Sequence, residues 1–529
     1  MAVSSSASVL RQGPTATLGD DDIASPRDSS PAADVDPDAV TEHATTRSSR
    51  LVDALLLVAP LALFGLLIAF VLVDPATRVT ASNAPATDEA WDIVNARNFV
   101  LLGRFSTDDW NLHLVNVPFS LIQAALFSVA GVGMAQARLV SIAAVALTMA
   151  ALAWGLRRPL GSSAGLLAAL AYGTSTLVLY YGRLAFLEPT VALGLTVGGI
   201  AALRAHDRRS GRWGILAGVA LALAIGTKPS AAFATAGILV GLAAVGGRSG
   251  AVRRWLGGAA LVIALAGIAW AAVIGLPNQA AIATDLRIWP AEPIVAPVLV
   301  MLRRILAFPI HNDRFVLLSA PVILFGTIGW IAAIRARRSL PGPSIALLAV
   351  ATGWLVGGFG LLALAPYRPN RYEVPLLPAL AILGAIGWSV LAPRFRRIAP
   401  ARAAIARLAV AGVLVLPGLV LYATWMGTAR SGLPDIQATV RAIVPAGAAV
   451  QGDDAPAFAL LAPVVTLVSH ERTRVNPGDL YVSRGVRWYV GVRGTAPAWA
   501  ALHRLEWSAR VSRFCASWGG HEDCLWQVP

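Results

Sequence analysis

Three carboxylates and a tryptophan stand together in Thr87-Asp88-Glu89-Ala90-Trp91-Asp92. They lie in a polar loop, residues 74–113, that follows an apolar run from Leu51 to Val73. Carboxylates beside a bilayer cost solvation energy unless they are hydrated, paired or in use. An acidic cluster fixed at a membrane surface suits a general base that acts on a lipid-borne substrate. Further polar residues gather at the ends of later apolar runs: Arg183 and Glu188, then Lys228, then Arg368, Arg371 and Tyr372. The first loop adds Arg97, Asp108, Asp109 and His113. Arginine and lysine hold phosphate, and a carboxylate activates a nucleophile, so the set points to a phosphate-bearing lipid.

The expected roles divide accordingly. Asp88, Glu89 and Glu188 are the candidate catalytic carboxylates. Lys228, Arg183, Arg368 and Arg371 are the candidate phosphate ligands, and Asp92, His113 and Tyr372 the candidate contacts to donor or acceptor. Each has a plainer reading. Asp88 can cap the helix expected over Asp88 to Leu102, an amphipathic segment suited to the membrane interface. Glu188, followed by Pro189, can cap its own helix or pair with Arg183. Lys228, the single lysine among 43 basic residues, can snorkel. No residues have metal-ligand spacing, and there is no P-loop, Gly-rich nucleotide fingerprint or Ser-His-Asp arrangement. The reading therefore includes neither metal nor cofactor. Cys515 and Cys524 are expected to form a disulfide if they face an oxidising compartment.

The chain that must position these residues has 529 residues, 56% of them hydrophobic and 14% charged. Soluble proteins carry about 25% charged residues. Apolar runs of about 17–23 residues match the bilayer, so the fold class is an α-helical polytopic membrane protein. The formal net charge of +14 reflects arginines in short loops between spans, as cytoplasmic loops require, rather than nucleic-acid binding. The dominance of arginine over lysine fits a GC-rich bacterial source and a plasma-membrane location. Residues 1–48 read as a disordered cytoplasmic tail. After the first run, spans are expected near 114–131, 138–156, 162–181, 187–204, 213–227, 229–246, 255–276, 315–334, 343–366, 374–392 and 408–426. Two full crossings between the Asp88 loop and Arg157 would break the charge alternation. The segment near 114–131 is therefore re-entrant, or a short helix is hidden beside it. The total is odd, 11 or 13, which places the C-terminus outside. Residues 49–429 form the membrane domain. Residues 430–529 read as a small extracytoplasmic α/β domain, with strands at Gly447 to Gln451, Val464 to Val468 and Trp488 to Val492 and a helix at Ile436 to Ile443.

Across residues 50–430 the chain resembles the GT-C glycosyltransferases that use polyprenyl-phosphate sugars, especially the bacterial aminoarabinose transferases and the protein O-mannosyltransferase family. The similar features, in order, are Asp88-Glu89-Ala-Trp, a span with Pro118 opening after His113, Ala137-Arg138-Leu139, Arg183-Leu-Ala-Phe-Leu-Glu188-Pro, Thr227-Lys228, and Arg371-Tyr372 with Pro375 and Pro378. The resemblance implies a metal-independent, inverting transferase whose first-loop aspartate, here Asp88, is the base. Family members often carry Asp at the place of Glu188. They also carry a Lys-Pro-Pro-like or His-Pro-Pro-like motif where this chain reads His113-Leu-Val-Asn-Val-Pro118. The implied partners are a polyprenyl-phosphate sugar in the membrane and a protein, glycan or lipid acceptor, with no nucleic acid. A transporter would place charges at mid-membrane on paired broken helices. A non-enzymatic cell-envelope assembly protein is the other alternative.

Overall fold

The structure is a computed structural model that describes residues 54, 58–75, 87–105, 116–246, 249–280, 282, 317–364, 369–398, 400–430, 432–452, 454–467, 485–494, 511–518 and 521–528. His113, Arg368, Asp108 and Asp109 lie outside the described residues. The helices run α1 (Val58–Ala69), α2 (Thr87–Leu102), α3 (Val117–Ala130), α4 (Met134–Leu160), α5 (Ser162–Gly173), α6 (Thr176–Tyr181), α7 (Leu187–Arg208) and α8 (Gly211–Thr227). They continue with α9 (Ala231–Gly246), α10 (Gly250–Trp270), α11 (Ala320–Arg335), α12 (Gly342–Leu364), α13 (Leu377–Ile398) and α14 (Pro400–Gly427). Among the described residues five stretches, Met134–Leu160, Gly250–Gly275, Gly342–Ala363, Asn370–Arg394 and Ile405–Gly427, are long and apolar enough to cross a membrane. The protein is a multi-pass membrane protein.

Helix packing here is set by small residues, because lipid offers no hydrophobic drive between helices and close backbone approach supplies the contact energy. Gly237 and Gly241 of α9 meet Gly353 and Ala349 of α12 backbone to backbone. A Cβ at Gly237 would strike the Gly353 carbonyl, and one at Gly353 would strike the Gly237 carbonyl.

Two observations orient the ends. The strands β1 (Asp74–Pro75) and β2 (Ala429–Arg430) pair antiparallel, so the exits of the first and last spans share one face. Helix α3 begins and ends near that face. Asn116, just before it, donates from Nδ2 to the Asp92 carbonyl at 3.4 Å. Gln123 within it donates to the Ala137 carbonyl at 2.7 Å, at the start of α4. Its 14 residues span about 21 Å at 1.5 Å per residue, short of a hydrocarbon core of about 30 Å.

Beyond α14 the chain adds α15 (Leu433–Ile443), α16 (Ala455–Phe458) and a mixed sheet of β3 (Ala449–Gln451), β4 (Val465–Leu467), β5 (Trp488–Val492), β6 (Val511–Trp518) and β7 (His521–Gln527). The strand order is β4-β3-β5-β7-β6; β3 is parallel to both β4 and β5, and β7 is antiparallel to β5 and β6. A disulfide joins Cys515 to Cys524, which face each other across the β6–β7 register. This tail shares an apolar core with the first loop. Ala90, Ile93 and Ala96 of α2 and Phe119 and Phe127 of α3 pack with Leu433, Ile436, Val450, Phe458, Val490 and Leu525. Helix α2 is therefore buried from Glu89 to Asn98, wedged between membrane helices and tail. The sequence reading had it as an interfacial amphipathic helix.

Gly353→Val places a branched side chain against the α9 backbone. We expect a loss of about 1–3 kcal/mol, read as a lower melting temperature of the detergent-solubilised protein. A neighbouring change with open space, Gly360→Ala, should leave the melt nearly unmoved.

Candidate active site

Four distant segments meet at the face that carries Asp74. Asp88 lies in the first turn of α2, Glu188 in the first turn of α7, Lys228 directly after α8, and Arg371 and Tyr372 in a 3-10 turn, Asn370–Leu376, that leads into α13. Each position follows from local sequence. Pro189 is tolerated in the first turn of α7 and Pro229 stops α8 after Lys228, because proline lacks the N–H that a helix interior needs. Pro369 and Pro375 hold the 3-10 turn tight.

The charges alternate in a chain of contacts. Arg371 donates from Nη1 to Asp88 Oδ2 at 2.5 Å. Its Nε lies 3.4 Å from Glu188 Oε1. Lys228 Nζ donates to the same Glu188 oxygen at 2.5 Å and stands 3.6 Å from the centre of the Tyr372 ring. The Arg371 guanidinium also lies over Phe186, 5.3 Å from the ring centroid. Asp88, Arg371 and Lys228 keep some exposure, whereas Glu188 is buried. Glu188 Oε2 and Thr227 Oγ1 have no hydrogen-bond partner among the described residues. The sequence reading offered Arg183 as a partner for Glu188. The structure gives Glu188 to Lys228 and Arg371 instead.

Asp92, one turn after Asp88, is buried beside the same four charges. Burial and then the neighbouring Glu188 carboxylate hold the Asp92 carboxyl well above the usual carboxylate range, against the opposing pull of Lys228 and Arg371. Folded Asp92 keeps its proton where the unfolded chain has lost it.

Glu89 and Arg183 fall in a second, fully buried network. Arg138 grips Glu89 with two bonds, Nε to Oε1 at 2.6 Å and Nη2 to Oε2 at 2.8 Å. The Ala185 amide also donates to Glu89 Oε1, at 2.8 Å. Arg138 Nη2 reaches Asp74 at 3.1 Å, and its Nη1 donates to the Val71 carbonyl at 2.7 Å. Arg183 Nη1 bonds Asp74 Oδ1 at 3.0 Å and the Val73 carbonyl at 2.6 Å, while its Nε and Nη2 have no partner among the described residues. Glu89 and Arg183 thus tie α2, α4 and α7 to the end of the first span. Sequence reasoning assigned no role to Asp74 or Arg138. The available signal was an arginine inside an apolar run, which must find a carboxylate when buried.

Comparison with known proteins agrees with this geometry. Residues 117–272 match the sequence model of the family described as dolichyl-phosphate-mannose-protein mannosyltransferase. No curated protein matches by sequence. Among solved structures, ArnT from Cupriavidus metallidurans bound to undecaprenyl phosphate superposes with a TM-score of 0.60 at 16% identity, over 89% of this chain and 97% of that one. The Archaeoglobus fulgidus oligosaccharyltransferase in complex with Zn and sulfate gives 0.55 at 14% identity, over 85% of this chain and 69% of that one. The mycobacterial arabinofuranosyltransferase AftD gives 0.52 at 16% identity, over 90% of this chain and 40% of that one. The chain therefore has the GT-C fold of these membrane glycosyltransferases.

Two predictions follow from the ion pairs and from Asp92. Arg138→Met takes the guanidinium from Glu89 and leaves Asp74 with Arg183 alone, and breaking such a buried pair costs about 3–5 kcal/mol. The checks are the melting temperature and the yield of inserted protein. For Asp92, a raised folded-state pKa means stability is greatest below the unfolded value of about 4 and falls as the pH climbs toward the raised folded value. Melting curves from pH 5 to 9 should show that decline in the wild type and a flatter profile in Asp92→Asn.

Proposed function

We propose that this protein is a membrane glycosyltransferase that moves a sugar from a polyprenyl-phosphate carrier to an acceptor hydroxyl. The observation that carries the reading is the alternating chain Asp88–Arg371–Glu188–Lys228, which joins the acid of the first loop to two cations in one partly open site. The ArnT structure holding undecaprenyl phosphate supports a lipid-phosphate donor for this fold. The acceptor class is protein, glycan or lipid; the archaeal enzyme tethered to an acceptor peptide illustrates the first.

In this reading Lys228 and Arg371 bind the donor phosphate. Without donor, both cations are neutralised by Glu188 and Asp88. An arriving phosphate competes for them and opens the Arg371–Asp88 pair, so donor binding itself releases the base. Asp88 then takes the proton of the acceptor hydroxyl. The hydroxyl oxygen attacks the anomeric carbon, and the bond from that carbon to the phosphate oxygen breaks. Polyprenyl phosphate leaves with the electron pair, its charge held by the two cations. The attack opposite the leaving group inverts the anomeric centre. Glu188 Oε2 can accept a hydrogen bond from a sugar hydroxyl, and protonated Asp92 can donate one. Phosphate charge is met by Lys228 and Arg371, so no metal enters the scheme. Glu89 acts by holding α2 through Arg138, and Arg183 by holding the end of the first span.

The helices support eleven crossings, with α3 remaining at the active-site face. Arg157 and Arg158 end α4, and Arg204 and Arg208 stack on Trp213 at the end of α7. Cytoplasmic enrichment of arginine supports a site and tail on the extracytoplasmic face of a bacterial plasma membrane. No nucleotide is needed there. A solute carrier fits less well, because these charges collect at one end of the helices.

The test is transfer by wild-type, Asp88→Asn and Lys228→Ala proteins, using labelled polyprenyl-phosphate mannose and polyprenyl-phosphate arabinofuranose in parallel. Asp88→Asn should lower kcat by about 10²–10⁴. Lys228→Ala should raise the donor KM and lower kcat by about 10²–10³. Wild-type rates in both variants would remove the site assignment. A wild-type protein that consumes no lipid-linked sugar but moves a solute would replace the reading with transport.

A further inference from the structure

Helix α2 carries Asp88 and is pinned twice. Near its start, Arg138 and the Ala185 amide hold Glu89. Near its far end the roles are exchanged, and α2 supplies the arginine. Arg97 is fully buried and reaches into the tail. Its Nε donates to the Leu460 carbonyl at 3.2 Å, and its Nη2 donates to the Ala459 carbonyl at 3.0 Å and to the Ala462 carbonyl. These carbonyls lie in the turn after α16, where those of Ala459 and Ala462 also accept the backbone amides of Ala462 and Val464. Nη1 donates to Asn98 Oδ1 at 2.6 Å. Arg97 lies nine residues, about 13 Å, along the helix from Asp88. The shared apolar core of Ala90, Ile93 and Ala96 with Phe458, Val490 and Leu525 fills the space between the two pins.

Resting on the glycosyltransferase reading above, we propose that Arg97 is a positioning residue and the tail is part of the catalytic apparatus. By gripping three tail carbonyls, Arg97 sets the tilt and register of α2 and so places Asp88 against the anomeric centre. The tail therefore affects the chemical step without touching the donor phosphate. Lys228 and Arg371 are carried by α8 and by the turn before α13, so donor affinity is set elsewhere.

This separation is measurable in the full-length protein. Arg97→Gln removes the grip, and Arg97→Lys keeps the charge but reaches fewer carbonyls. With the lipid-linked sugar that the wild type consumes, kcat should fall about 10²-fold in Arg97→Gln and less in Arg97→Lys, with donor KM and undecaprenyl phosphate affinity within about twofold of wild type, because an ångström-scale misplacement costs rate rather than binding. Amide hydrogen exchange across Thr87–Leu102 should quicken in the same order. If kcat stays at the wild-type value, or if kcat, KM and lipid affinity all decline in step with the folded fraction, the positioning role is overturned. Where Arg97→Gln fails to fold, Arg97→Lys carries the same readouts. Wild-type transfer by Asp88→Asn would sink the base assignment. Unchanged exchange in both Arg97 variants would sink the anchoring, whatever Asp88 does.

Discussion

The pairing of Arg138 with Glu89 and Asp74 is the constraint on which the active-site face depends. A guanidinium excluded from water is tolerable where carboxylates and carbonyls meet most of its donors. Arg138 finds two carboxylates and the Val71 carbonyl, from two separate segments. The arrangement closes where the end of the first span, the start of α2 and the start of α4 come together. Arg183 adds a second cation to Asp74 and brings in the loop before α7. The position of Asp88 follows, since it is the neighbour of Glu89 on a helix already fixed. In the proposed mechanism its pairing with Arg371 is the one that substrate displaces.

The two networks divide the labour by exposure. Arg138, Glu89 and Asp74 are sealed, so rearranging them would leave bare charges in a poor dielectric. Asp88, Arg371 and Lys228 keep some exposure, and in the proposed reading a phosphate replaces a carboxylate there with little change in total charge. The two cations and the carboxylates of Asp88 and Glu188 balance one another. Asp92 fits the same logic. A third full negative charge among these groups would upset the balance, and burial favours its protonated form.

Much of this was legible in the sequence because charge is scarce in an apolar chain. A lysine, a few arginines and a few carboxylates at span ends had few solvated places to go, and Asp88, Glu188, Lys228 and Arg371 do converge. The pairing among them was not legible. Spacing within one segment favoured Arg183 for Glu188, whereas the partners come from segments far along the chain, which periodicity cannot report. Asp74 and Arg138 were passed over as span punctuation. The same limit applies to α3. Its apolar composition resembles a crossing, and the sequence could not report its contacts to the Asp92 carbonyl and to the start of α4. In the tail, the aromatic and β-branched Trp488–Val492 read as a strand. The β6–β7 hairpin, rich in polar residues and closed by a disulfide, carried no comparable hydrophobic pattern.

The burial of α2 changes what a loop active site means here. A catalytic group on an exposed loop would sample many positions, and each binding event would have to order it. This helix is enclosed from Glu89 to Asn98 by membrane helices on one side and the tail on the other. Its two buried arginine contacts act in opposite directions along the chain. Arg138 reaches from the membrane domain to α2, and Arg97 reaches from α2 to the tail. A shift of α2 toward either neighbour stretches the bonds to the other. The carboxylate at its first turn is thereby held in place, and the mechanism proposed above draws on that, because electrostatic catalysis in a low-dielectric site requires preorganisation of this kind.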